Sequence, residues 1–466
     1  MPKAERRLYV GPSLRRFRRD RGLTQIDMAA DLEVSPSYIA LLERNQRPLT
    51  AELLLRLART YQIDVSTLAG QDDSGGHGRL QAALKDPLFA DIDLGALETG
   101  DITANFPGVA DAFLRLYTTY QQEQLALADR RASPRGDGAS DPVAESRHFL
   151  AARRNCFPLL DEAAERMAAA VNEAGGTIAY LKARHGLRVR RLPPKVMVGS
   201  IRRLDRHRRE IVLDDELDGA SQAFQLALQL AYLELGPQLD AALEGGSFAT
   251  QSGARLARRA LAGYAAAAVL MPYAAFAKAA EARAYDVEAL GRQFGASFEQ
   301  TAHRLTTLQK PGHERVPFFF IRVDEAGNVS KRLDGAGFPF ARHGGGCPLW
   351  TVHQAFRRPR QILTQWLELP DGQRFFSIAR TVTAGGGGYG RPRVDRAIAL
   401  GCAAEQAGRL VYTRADAGPP TPTPIGITCR LCHRAECTAR SEPPIGRQIL
   451  QDDVRRTSAP FGFSDA

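Results

Sequence analysis

At 466 residues, with a formal net charge of +10 and a pI near 9.5, the chain has room for about three domains and suits a polyanionic partner. The basic, polar N-terminus lacks an apolar signal-like core, and the most apolar stretch, Tyr264 to Ala277, is short for a bilayer and contains Pro272. Secretion and membrane insertion are therefore not expected; the expectation is a cytoplasmic protein whose six cysteines act as thiols or metal ligands, not disulfides.

Residues 11 to 68 have the pattern of a complete helix-turn-helix module. Thr24 with Asp27 forms a reciprocal capping pair that starts a short helix over Met28, Ala29 and Leu32. Ser35 caps a second helix with Pro36 at its first position, and Ile39 and Leu42 supply the inward edge. Ser37 and Tyr38 then stand at the N-terminal end that such proteins point into a major groove. The approach segment, with Lys3, Arg6, Arg7, Arg15, Arg16, Arg18, Arg19 and Arg21 against Glu5 and Asp20, has the cation density that tracks phosphates. The module resembles the Cro/repressor-type helix-turn-helix family. The resemblance implies a phosphate contact at Gln25, groove-facing roles for Ser35, Ser37 and Tyr38, and backbone contacts from Arg44, Asn45, Gln46 and Arg47. Glu33 stands where that family usually has glycine, and a left-handed conformation there costs on the order of 1 kcal/mol.

GQDDSGGHG, at 70 to 78, marks a first boundary and reads as a hinge. Residues 79 to 128 return to helical spacing, with Phe113, Leu114 and Tyr117 on one side. SPRGDGASDP, at 133 to 142, reads as a loop, and residues 141 to 175 as one or two helices. The boundaries expected are therefore 1–70, a helical linker region 71–142, a middle domain 143–283 and a C-terminal domain 284–466. No repeat or sustained heptad pattern stands out.

The middle segment offers a hairpin, VMVGSIRRLDRHRREIVLDDEL, then helices AFQLALQLAYLELG and ARRALAGYAAAAVLMPY. This order resembles a zinc peptidase-like domain, whose first helix carries His-Glu-x-x-His so that two imidazoles grip zinc while the glutamate activates water. The corresponding positions here are Leu228, Gln229 and Tyr232, and the third ligand position is Leu261. Aliphatic groups cannot coordinate zinc and Gln229 cannot take up a proton, so the expectation is a degenerate peptidase fold and no enzyme activity. Arg202, Arg203, Arg206, Arg208 and Arg209 could hold phosphates, but are better read as charges that keep an edge strand solvated.

The last third alternates strand-like runs, VPFFFIRVD, NVSKRLD, RQILTQWLEL and RFFSIARTV, separated by DEAGN and LPDGQ turns. The fold class expected is multidomain and mainly α with an α+β C-terminal part: a four- or five-helix N-terminal bundle, a helical middle domain and a small mixed-sheet, GAF-like sensor domain. GGGGYG at 385 to 390, before Arg391 and Arg393, reads as a loop, and Trp350 and Phe356 near His353 read as core. Cys347 and Cys402 fall within this part, and Cys429, Cys432 and Cys437 lie close enough in sequence to converge on one soft metal or cluster. Cys156, on an expected helix beside Asn155, reads as a small buried hydrophobe.

Over most of its length the chain resembles the short-chain fatty acyl transcriptional regulators of bacteria, through SPSYIALLERNQRPLT, AFQLALQLAYLE, VLMPYAAF, FGASFEQTAHRLTTLQ, GCPLWTVHQAF and IGITCRLCHRAEC. That resemblance implies a double-stranded DNA operator, a homodimer or dimer-based oligomer, a short-chain acyl-CoA effector and an iron–sulfur cluster. The ligands implied are Cys429, Cys432 and Cys437 with Cys402 as the fourth and Cys347 in reserve. Zinc is the rival occupant, because four thiolates would satisfy it equally.

Overall fold

The computed structural model describes residues 14–15, 17–18, 21–43, 46–47, 49–61, 74–84, 86–89, 92, 96–132, 141–333, 335–340, 346–385, 389–390, 393–413, 421–445, 447, 449–450, 454 and 456–463. The chain divides into two compact units, residues 1–123 with 371–373, and residues 124–370 with 374–466.

In the first unit, α1 (Gln25–Asp31), α2 (Pro36–Glu43) and α3 (Ala51–Tyr61) close around a core containing Leu14, Met28, Leu32, Ile39, Leu42, Leu53 and Leu57. The Thr24–Asp27 capping box is present, and Glu33 takes a left-handed φ of 54°, as its place in the tight turn demands. Helix α4 (Ser74–Leu84) begins inside the stretch expected as a hinge: Ser74 to Gly78 are helical, so Gly75, Gly76 and Gly78 do not stop it. Helices α5 (Ala96–Asn105) and α6 (Pro107–Ala132) follow, the first unit ending at Glu123 within α6. Phe89 packs its ring against Phe113 and Tyr117 of α6, 5.7 and 6.0 Å between centroids, and Tyr117 donates its hydroxyl to Asp86 at 2.6 Å.

In the second unit, α7 (Pro142–Ala152), α8 (Pro158–Glu173), α9 (Thr177–His185), α10 (Pro194–Met197), α11 (Gly219–Glu234), α12 (Gly236–Leu243) and α13 (Gln251–Leu270) accompany a three-stranded sheet. Its strands β1 (Arg188–Leu192), β2 (Arg202–Asp205) and β3 (Glu210–Asp214) run in the order β1-β3-β2, so β2 is an edge. One apolar core, including Leu160, Leu181, Ile211, Leu230 and Leu261, joins these elements. Cys156 lies in the turn between α7 and α8, not on a helix, and is buried as expected.

Helix α14 (Tyr273–Ala282) leaves α13 at 66° after the Met271–Pro272 break. Among the described residues no single helix is long and apolar enough to cross a membrane, and this bent pair is largely buried in the unit's own core. Helices α15 (Val287–Phe294) and α16 (Phe298–Leu305) lead into a six-stranded sheet formed by β4 (Phe319–Val323), β5 (Val329–Leu333), β6 (Leu363–Glu368), β7 (Arg374–Ala384), β8 (Val394–Ala403) and β9 (Thr423–Pro424). The order is β5-β4-β8-β7-β6-β9, antiparallel except for β6 with β9, which makes the mixed sheet expected there. A short ladder of β10 (Ile449–Leu450) with β11 (Gly462–Phe463) lies apart from it.

Alternation along β8 divides the core. Ile398, Leu400 and Cys402 join Phe276, Leu305 and Phe376 on one face of the sheet, whereas Ala397 and Ala399 join Phe319, Trp350 and Phe375 on the other. The first of these cores contains Met271 and Tyr273 together with Phe318 and Ile378, so the chain packs continuously across the expected 283/284 boundary. Thr351–His353 and Ala355–Arg357 are 3-10 turns, and Trp350 is buried with its indole N–H donated to Ser377 at 3.2 Å. Tyr389, in the glycine-rich connection from β7 to β8, is fully exposed; Arg391 lies outside the described residues.

Candidate nucleic-acid interface and thiol cavity

The start of α2 is built by local chemistry. Ser35 accepts from the Tyr38 backbone N–H at 3.2 Å, its hydroxyl lies 3.0 Å from that of Ser37, and Pro36 begins the helix where no N–H is needed. Ile39 and Leu42 turn into the core while Ser35 and Ser37 remain exposed and Tyr38 half-buried, so the end of the helix presents a small polar surface. Gln46 and Arg47, just past α2, are exposed; Arg44 and Asn45 lie outside the described residues.

Two residues that hold this surface escaped sequence reasoning in these roles. Glu43, on the last turn of α2, is buried and accepts from Arg18 at 2.6 and 3.2 Å and from the Gln25 amide at 2.8 Å. Burial pushes the Glu43 carboxyl up, but the hydrogen bonds from Arg18 and Gln25 and the charge of Arg18 outweigh it, so the net direction is downward. Arg18 is therefore turned inward, also donating to the Leu23 carbonyl, and is not one of the free cations its place in the basic segment suggested. Gln25, half-buried, is oriented by the same carboxylate. The signal available in the sequence was only an acidic residue at the end of an otherwise apolar helix edge.

At the positions aligned with peptidase ligands, Leu261 is fully buried and Gln229 buried; Leu228 and Tyr232 are half-buried against the same core. Arg202 lies over the Tyr232 ring at 5.6 Å and donates to the Gln225 carbonyl at 3.0 Å, while Arg203, Arg206, Arg208 and Arg209 are exposed around edge strand β2.

A third constellation gathers at the end of the sheet. Cys347, Cys429, Cys432 and Cys437 line one small cavity together with Gly426, Thr428, Arg434 and Arg440. The turn Cys429–Leu431 is capped by Thr428, whose hydroxyl accepts from the Leu431 N–H at 3.3 Å. The buried Arg440 guanidinium donates to the carbonyls of Cys429 at 3.1 Å and Cys432 at 2.9 Å, as well as to that of Arg434. The Ser441 N–H reaches the Cys429 sulfur at 3.4 Å. A Cβ at Gly426 would meet Cys432 Cβ at 2.7 Å, so glycine lets the backbone approach the thiols. Burial pushes the Cys347 thiol up, partly offset by backbone N–H groups of Gly426 and Leu349.

Cys402, expected as the fourth member of this group, is not at the cavity. It is fully buried on β8 among the apolar residues of the opposite sheet face, and burial pushes its thiol up to about 12. Cys347, the reserve, takes the place beside the other three. The donor set suits a soft metal or an iron–sulfur cluster. Among the described residues no three His, Cys, Asp or Glu side chains are drawn together as they would be around one ion.

Three family models match consecutive parts of the chain: a helix-turn-helix at residues 14–68, an IrrE N-terminal-like domain at 182–306, and the C-terminal domain of short-chain fatty acyl coenzyme A regulators at 307–461. The chain is 38% identical to "HTH-type transcriptional regulator RamB" of Mycobacterium tuberculosis over 97% of this chain and 98% of that protein. It is 37% identical to "Propionyl-CoA carboxylase regulator" of Cereibacter sphaeroides, over 98% of this chain and 99% of that one, and 34% identical to "HTH-type transcriptional regulator PrpR" of M. tuberculosis, over 98% and 96%. A solved structure described as "Mycobacterium tuberculosis transcriptional regulator" superposes with a TM-score of 0.64 at 36% identity, covering 69% of this chain and 99% of that one. On this full-length similarity, with a short-chain fatty acyl coenzyme A regulator domain following the helix-turn-helix, the chain belongs to the RamB/PrpR family of bacterial helix-turn-helix transcriptional regulators.

Proposed function

We propose that the protein is a DNA-binding regulator of short-chain acyl metabolism, of the acetate, propionate or glyoxylate type, whose affinity for its operator is set by a short-chain acyl-CoA. The observation that carries the reading is the exposed polar tip of α2, with Ser35, Ser37 and Tyr38 at a helix end whose core edge is sealed by Ile39 and Leu42. Two copies would place their α2 helices in successive major grooves about one helical turn apart. The names of the relatives, which include a propionyl-CoA carboxylase regulator, support the metabolic assignment. An acyl-CoA could shift DNA binding only by the difference in its affinity for two arrangements of the protein.

For the cavity, the proposal is an iron–sulfur cluster held by Cys347, Cys429, Cys432 and Cys437. Zinc, which four thiolates would satisfy equally, is the alternative occupant. When bound, such a cluster supplies electron exchange and sensitivity to oxidant. The chain's own contribution is to fix the backbone beneath the thiols, through Arg440 on the carbonyls of Cys429 and Cys432 and through the close approach at Gly426.

The test titrates acetyl-CoA and propionyl-CoA into full-length protein bound to duplex DNA, with anaerobic, cluster-loaded and metal-free samples followed in parallel. A ligand-dependent change in DNA affinity supports the metabolite-sensing reading. A response to oxidant alone would move the assignment to a redox sensor, the second reading that the four-thiol cavity favours.

A further inference from the structure

Helix α6 carries an apolar stripe that faces outward. Phe106, immediately before the helix, and Val109, Leu116 and Tyr120 within it expose 61, 62, 69 and 37% of their surface. With half-buried Phe113 they recur at intervals of three, four, three and four residues, the spacing that holds one narrow stripe along a helix and seats it against a second helix. Phe113 is partly covered by Phe89, and the neighbouring edge, with Ala110 and Tyr117, is already occupied, since Ala110 is buried and Tyr117 packs on Phe89.

The stripe makes no polar demand. Between Phe106 and Tyr120 the residues on this side, including Ala112 and Thr119, are uncharged, while Asp111 and Arg115 project from the other side and Asp111 lies 3.7 Å from Arg79. The Thr118 and Thr119 hydroxyls are satisfied within the helix, donating to the Leu114 and Arg115 carbonyls at 2.8 and 2.9 Å. A neutral stripe can meet its own copy across a two-fold axis without like-charge repulsion, which is what an isologous interface requires.

We infer that this face of α6 is the surface on which two copies of the chain pair, setting their DNA-reading helices at a fixed separation. The inference rests on the DNA-binding reading, because a protein that reads two half-sites needs a device in the same unit as α2 to hold two modules together. Large apolar side chains of roughly 150–250 Å² each, partly covered already, leave on the order of 300–400 Å² per copy for the contact. That is short of the roughly 800 Å² per partner of a standard stable interface. The pairing is accordingly weak in free solution and reinforced on a duplex carrying two half-sites.

The experiment compares full-length wild type, Val109→Glu, Leu116→Glu and the opposite-face control Asp111→Lys by sedimentation velocity. Each is run alone and on a two-half-site duplex selected from random sequence by the wild type. The expected result is wild type and Asp111→Lys moving toward twice the 50.9 kDa chain mass, with at least a tenfold weaker association constant for Val109→Glu and Leu116→Glu. The same two variants should bind one copy per duplex while retaining affinity for a single half-site. Leu116→Ala, which shortens the stripe while keeping helix propensity, replaces any variant whose circular dichroism shows lost helix. Unchanged association in both glutamate variants and in Leu116→Ala overturns the α6 interface and leaves dimeric DNA binding standing. A wild type that binds duplex only as one copy overturns both.

Discussion

Arg304 donates to Asp161 at 2.7 Å with neither side chain exposed by more than 1%. The other carboxylate oxygen accepts from the Tyr264 hydroxyl, and the guanidinium also donates to the Met271 carbonyl and the Thr307 hydroxyl. Helices α8, α13 and α16 are thus pinned at one charged point, which ties the helical part of the second unit to the segment entering its large sheet. Removing one partner strands a buried charge, a loss of about 3–5 kcal/mol, whereas replacing both by apolar residues of similar volume is close to neutral. Asp161→Asn and Arg304→Met should each lower the urea midpoint strongly, and Asp161→Leu with Arg304→Met should recover most of it. Single variants that unfold like the wild type would show that the pair is dispensable.

The thiol cavity makes a separable prediction for two cysteines. Cys347→Ser should abolish the visible absorbance of anaerobically purified or reconstituted protein, and Cys402→Ser should leave it unchanged, because Cys402 lies on the other face of β8. Iron and sulfide analysis alongside the spectrum separates a cluster from stoichiometric zinc, which would be colourless.

Glu43 gives the first unit a pH dependence of defined sign. Folding lowers its value, so the ionised form is the stabilised one: the contribution is complete above the ordinary glutamate value of 4.5 and is lost as pH falls through the depressed native value. The stability of the helix-turn-helix, followed by hydrogen exchange of Leu42 and Ile39, should decline on going from about pH 5 to about pH 3 in the wild type. In Glu43→Gln the decline should be shallower. Equal slopes would remove Glu43 as the source.

Glu33 sits at a φ of 54° with its carboxylate largely in solvent, its one ion pair among the described residues being a 3.4 Å contact with Arg56. Relief of the left-handed strain exceeds the worth of such an exposed pair. Glu33→Gly should stabilise the first unit by about 1 kcal/mol, and Glu33→Val should destabilise it, both read from denaturant midpoints.

The helix-turn-helix was legible because its determinants are local: Thr24 and Asp27 cap one another three residues apart, and Ser35 and Pro36 specify the next start within two residues. The Glu43–Arg18 pair was not, since its members are 25 residues apart and each alone reads as surface charge. The fourth thiol of the cavity, Cys347, was read only as the reserve behind Cys402 for a related reason. The run from Val394 to Ala403 alternates as a strand, and one step of parity decides which side of a sheet a residue faces; Cys402 falls with Ile398 and Leu400 on the helical side, away from Cys347. The helix beginning at Ser74 was obscured by glycines that signal a break in isolation but sit in a helical first turn here.

The claim on which the account turns is that the exposed tip of α2 reads base edges. The most direct measurement is selection of bound duplexes from a random pool by wild type, Ser37→Ala, Tyr38→Ala and Arg47→Ala, with affinities then measured on the selected and unselected DNA across a salt series. The account predicts a changed or relaxed preference for Ser37→Ala and Tyr38→Ala, at about 1–3 kcal/mol per altered base contact. For Arg47→Ala it predicts uniform weakening with a salt slope reduced by about one. Equal losses on selected and random DNA for Ser37→Ala and Tyr38→Ala would contradict it.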